Sequence, residues 1–200
     1  MAPLTIHSLR INDGLVGKNF TPLLHLHRAS PEDIYRGLGY NYPKFFKMDV
    51  LCKWAWLGAE ALLRKEKGTL YDAADKDKTA IVIATKHGCL TVDKRYQETL
   101  NTIPSPALFV YTLPNIMLGE LCIRHGFKGE QLCLVQEAFN EQEVIFWVND
   151  LFKNRGMEHC LFGWVDATNE THDVCLFWAS KNEAGMLTPE AITGAYQNTT

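Results

Sequence analysis

The sequence predicts an α/β fold with a single five-stranded mixed sheet and helices on both faces. Three observations predict it. Ala80-Ile-Val-Ile-Ala-Thr85 is a continuous β-rich run, as expected of a strand covered on both faces in a parallel sheet. Segments of helical period alternate with strand-like runs on either side of it. The last two strand-like runs are separated only by the turn-prone Thr168-Asn169-Glu170, which makes the final strand antiparallel to its neighbour.

Each element has its own signal. Leu4 to Arg10 alternates apolar and polar residues and reads as the first strand. Ser30-Pro31-Glu32-Asp33 is a helix start, with a serine cap, a proline in the first turn and acids at the positive helix end. Tyr42 to Glu66 reads as one long helix, apolar around most of its circumference and therefore buried between layers. Asp72 to Lys78 is a polar connection into the Ala80 strand, and Pro104 and Pro106 punctuate the loop that follows it. A helix from about Pro114 to His125 stops at Gly126, and Gln131 to Gln136 is a short strand. Asn140 to Asn154 is a helix with Val144, Trp147, Val148, Leu151 and Phe152 on one face. His159 to Val165 and His172 to Ala179 are the closing strands, followed by a polar tail over residues 182–200.

Composition narrows the function classes. The hydrophobic fraction of 46% and the 5 tryptophans suit a globular chain with a sizeable core. A net charge of −3 with scattered Lys and Arg gives no footprint for nucleic acid and no polybasic membrane patch. The N-terminus lacks a signal-peptide pattern, and the richest apolar window, Leu51 to Leu63, still carries Lys53 and Glu60, so no membrane span is expected. The 6 cysteines lie far apart inside apolar runs and are expected to be reduced, buried thiols of a cytoplasmic protein.

Four segments carry a family resemblance. Ala80-Ile-Val-Ile-Ala-Thr-Lys-His-Gly88 is a β-run ending in a short glycine loop. The stretch from Phe109 to Gly129 contains Asn115, an apolar helix and the turn Gly126-Phe-Lys-Gly129, with Glu130 where a proline is usual. Leu132 to Val135 and Asn154 to Asp166 complete the set. Over residues 4–181 the chain resembles the N-terminal half of a thiolase-fold β-ketoacyl synthase.

The resemblance implies a single thiolase-like half over residues 1–181. Ungapped counting from Gly129 or Gly163 puts the family's catalytic cysteine at Ala138, with Glu137 beside it. Neither is a thiol, whereas a ketosynthase needs a thiolate at a helix N-terminus. The two histidines that the family draws from its C-terminal half have no counterpart here. The chain therefore resembles a chain-length-factor-like subunit, not an enzyme on its own, with no cofactor and no metal. The implied partner is a full-length ketosynthase or a second copy of the chain, with an acyl-carrier protein as a further partner, in fatty-acid, aryl-polyene or polyketide-type elongation. In thiolase folds the strand before the nucleophile pairs across the dimer axis. That gives the interface candidates Gln131, Leu132, Cys133, Leu134, Val135 and Gln136, with Asn115 and Phe139 beside them. A chain exposing such a surface is not expected to persist as a soluble monomer.

Other residues suggest rival readings. His25 and His27 share one face of a strand and could ligate a metal, but no third ligand is suitably spaced. His87 follows a strand, where α/β folds place ligand groups. Glu137 lies where a carboxylate would cap a helix. Asp166 and Asp173 have no paired acid at a hydrolytic spacing. A small transferase or hydrolase built around His87 and Glu137 is one alternative, and a homodimeric module binding an acyl chain or carrier protein is another.

Overall fold

The computed structural model describes residues 6–12, 15–26, 29–181 and 186–197. Its strands are β1 (Ile6–Asn12), β2 (Leu15–Lys18), β3 (Thr21–His25), β4 (Thr79–Thr85), β5 (Gln131–Val135), β6 (His159–Ala167) and β7 (His172–Ser180). They form one sheet of 7 strands in the order β3-β2-β1-β7-β6-β4-β5. β4 is parallel to β5 and β6, and every other neighbouring pair is antiparallel. In direction, β2 and β7 run against the other strands.

The 5 expected strands are all present, and the count is corrected to 7 by the hairpin β2–β3 added outside β1. That hairpin is short, is interrupted by Gly17 and Pro22, and buries only Val16, so it lacks a strand's apolar alternation.

One face of the sheet carries α1 (Pro31–Gly37), α2 (Val50–Leu63) and α5 (Ile116–His125). Ser30 and Asp33 form a capping box at the start of α1. The long helix expected over Tyr42 to Glu66 is shorter. A 3₁₀ turn occupies Pro43–Lys47, and Asp49 then caps α2 by accepting from the Leu51 and Cys52 N–H groups. α2 is buried on nearly its whole circumference, between the sheet and α5. Its Glu60 is fixed by the Arg124 guanidinium of α5, which lies over the Tyr42 and Trp56 rings.

The other face carries α6 (Glu141–Asn154) and α7 (Glu190–Gln197). Of the segment expected as a polar tail, residues 190–197 form α7, with Ile192 and Ala195 buried against the sheet. Two further helices, α3 (Leu90–Thr99) and α4 (Pro106–Phe109), fill the loop expected between β4 and α5. Of these only Val92 is buried, so their sequence shows no apolar stripe.

β4 is buried along its whole length, and β6 beside it is nearly so. In β6, Gly163 sits at φ +140° with the space for a Cβ occupied by the Cys175 carbonyl of β7. β5 ends the sheet, and its outer edge is unpaired among the described residues.

Candidate functional site

The carboxyl ends of β4, β5 and β6 gather the residues that the sequence singles out. Gln136 leaves β5 with its N–H donated to the Thr85 carbonyl at 2.9 Å, which pins the β5–α6 connection over the end of β4. Its side chain accepts from the Asn140 N–H at 3.2 Å and donates to Glu143 at 2.8 Å. Asn140 caps α6 through the Glu143 N–H. Glu137 is therefore three residues ahead of the cap and does not serve as one.

Ala138 is exposed on the bend, two residues before the cap. Phe139, expected at an interface, is buried within its own chain against Trp164 (5.9 Å) and Tyr196 of α7 (4.8 Å). Leu132 and Leu134 lean on the α6 face of the sheet and Cys133 on the α2 face. Val135 stands in solvent at 69% exposure, and Asn115 is exposed ahead of α5 without making a cap bond. The expected strand candidates thus share one open edge, whereas Phe139 belongs to the core.

At the carboxyl ends of β4 and β6 lies a pair that the sequence reading missed. Asp166, at the end of β6, accepts through Oδ1 from the Lys86 N–H (3.0 Å), the His87 N–H (2.8 Å) and the Thr85 hydroxyl (3.1 Å). Its Oδ2 meets His87 Nδ1 at 2.7 Å. Burial pushes the carboxyl up, but the His87 backbone and ring donors and the Lys86 N–H outweigh it and hold it below the ordinary carboxylate value. An ionised Asp166 carboxylate can only accept in this contact, which puts a proton on His87 Nδ1.

A nucleophile for that base is harder to find. The nearby Cys89 thiol has its one S–H within reach of Asp93 Oδ2 (3.2 Å) and the Thr112 carbonyl (3.0 Å), and burial followed by Asp93 pushes it up to about 12. It is no thiolate near neutral pH.

Among the described residues no group of His, Cys, Asp and Glu could hold a metal ion. His25 is exposed at the end of β3, and His27 lies outside the described residues. No helix among the described residues is long and apolar enough to cross a membrane.

Comparison with solved structures places this architecture. The ishigamide ketosynthase/chain length factor structure aligns with a TM-score of 0.62 and 15% identity, over 92% of this chain and 63% of that one. A ketosynthase in complex with its chain length factor from Xenorhabdus doucetiae aligns at 0.58 and 14%, over 91% and 79%. A type II polyketide acyl-carrier protein in complex with its hexaketide-bound ketosynthase aligns at 0.58 and 11%, over 90% and 63%. The chain thus has the thiolase-like α/β fold found in ketosynthase and chain-length-factor structures. It spans 63% of the length of the ishigamide chain it matches. No family model matches the sequence, and no curated protein matches it.

Proposed function

We propose that this chain is a non-catalytic ketosynthase-like subunit that pairs with an active β-ketoacyl synthase in polyketide, aryl-polyene or fatty-acid chain elongation. The observation that carries this reading is the open outer edge of β5, with Val135 in solvent at the end of the sheet. A free, unblunted edge strand is a template for pairing with another chain. Ala138 at the nucleophile position of the resemblance supports a role without condensation chemistry, and the fold shared with ketosynthase and chain-length-factor complexes supports the kind of partner.

The test is co-expression with a β-ketoacyl synthase from the same genome. Stable co-purification, lost on Val135→Pro, supports the reading; a chain that never associates with any ketosynthase or with itself overturns it. The His87–Asp166 pair favours a second reading, a small hydrolase or transferase with His87 as general base. Thioester turnover by the purified chain, abolished by His87→Gln, would establish that reading instead.

A further inference from the structure

The sheet edge remote from β5 carries a cleft that the pairing reading does not use. It lies at the amino end of β1, between the β2–β3 hairpin and the segment that follows α2, as an open groove of about 510 Å³. Ligand pockets for small molecules have volumes of this order. Leu23, Leu38, Leu70 and the Tyr40 ring make its walls apolar. Lys18 from β2, Arg64 and Lys65 from beyond α2, and His7 from β1 make its rim cationic. Glu66 is the one acid among the described lining residues.

These cations are positioned without a direct ion pair among the described residues, although Asp72 also feels Lys65. Lys18 Nζ donates to the Arg64 carbonyl. The Arg64 guanidinium lies 5.6 Å from the centre of the Tyr40 ring and donates to the Leu38 carbonyl at 3.4 Å. Among the described residues none of Lys18, Arg64 and Lys65 forms an ion pair with a carboxylate. Their mutual repulsion is felt within the cleft. Burial and then Lys65 lower the Lys18 amine, and burial followed by Lys18 and Lys65 lowers the His7 ring.

The hairpin that rims the cleft is itself strained. Asn19 and Phe20 have φ of +48° and +63°, the geometry of a turn that usually takes Asn-Gly. A phenylalanine there has a Cβ in the left-handed region, and such strain tends to persist at functional sites. Asn19 is held by the Ser8 N–H at 2.8 Å and meets His7 Nδ1 at 3.4 Å, which fixes the hairpin tip against the rim.

We infer that this cleft binds a small amphipathic anion, a carboxylate or phosphate headgroup on a medium-length alkyl tail. Lys18, Arg64 and Lys65 hold the head, and Leu23, Leu38 and Leu70 line the tail. The inference is independent of the β5 pairing, which lies at the opposite edge of the sheet.

Calorimetric titration of the intact chain tests it, with octanoate, octyl phosphate, octyltrimethylammonium and inorganic phosphate as probes. Both amphipathic anions should bind with Kd at or below about 1 mM. Inorganic phosphate should bind at least about tenfold more weakly, because the apolar walls add nothing to it. Lys65→Glu, at an exposed position, and Lys18→Met should each weaken octanoate about tenfold or more, with unchanged thermal melting to show that the fold is intact. Equal binding of the ammonium amphiphile, anion binding untouched by both variants, or no binding of either anion would overturn the inference. So would binding to phosphatidylglycerol vesicles without binding to the free anions, which would make the cleft a membrane contact.

Discussion

Asp166 gathers four donors on one carboxyl group, two of them backbone N–H groups with no other acceptor among the described residues. Asp166→Ala leaves the Lys86 and His87 amides without partners and should destabilise the chain by about 1–3 kcal/mol, read as a lower urea midpoint at pH 7. The effect should depend on pH. Because the folded-state value is depressed, the stabilisation is fully present above the unfolded carboxylate value of about 4 and is lost as pH falls through the folded value. The stability gap between wild type and variant should therefore narrow as pH falls through the folded value, without closing, because a protonated carboxyl still accepts from the two amides.

Gly163 is a second residue-scale constraint. A Cβ there would lie 2.1 Å from the Cys175 carbonyl oxygen, in a strand held on both sides. Gly163→Ala should cost about 3 kcal/mol, seen as insoluble expression or a marked fall in Tm. Ala138 is the opposite case, exposed and unconstrained. Burial raises the thiols of all 6 native cysteines, to about 11 at Cys122 and Cys133 and about 12 at Cys89 and Cys175. Ala138→Cys should therefore alkylate with iodoacetamide faster than any native thiol at neutral pH. It should still not condense acyl and malonyl thioesters, because catalytic groups that act as a unit are not restored singly.

At the scale of elements, β5 makes the most pointed prediction. The Gln136 N–H faces Thr85 of β4, so by strand alternation the N–H groups of Cys133 and Val135 face outward. Val135→Pro removes an outward donor while sparing the β4 ladder. It should leave the circular dichroism and melting of the isolated chain unchanged and abolish assembly in a co-purification assay. The elements legible in the sequence were those with a strong local signal. β4 is one unbroken apolar run, and α6 shows its apolar face at helical spacing, with Asn140 as its cap. β2 and β3 were not legible because their pairing rests on backbone hydrogen bonds along a mostly exposed ribbon. The break before α2 was hidden because apolar residues continue through the 3₁₀ turn that precedes Asp49. The candidate site was half legible. His87 was visible as a position after a strand and Glu137 as one at a helix start, but the His87–Asp166 pair arises from the parallel register of β4 with β6, across 79 residues. No local pattern encodes that.

For the whole molecule, the stretch after β4 leaves several large apolar side chains in solvent. Ile103, Phe109, Val110 and Leu113 all stand in solvent on the poorly packed stretch after β4, with Ile103 at 85% exposure. Exposed apolar patches beyond a few hundred Å² usually mark interfaces. Velocity sedimentation at micromolar concentration should show a dimer or a complex with a ketosynthase, and a persistent soluble monomer would count against the pairing. The antiparallel ladder of β1 on β7, with Ile6 opposite Ala179, has a different consequence. During synthesis β1 waits until residues 172–180 have left the ribosome before it finds its partner. Such sequence-distant pairing slows folding. The early hairpin must stay accessible, and vulnerable to aggregation or chaperone capture, until residues 172–180 arrive. A nascent chain arrested before residue 172 should therefore leave β1 open to protease, whereas one extended past residue 180 with room to clear the exit tunnel should protect it.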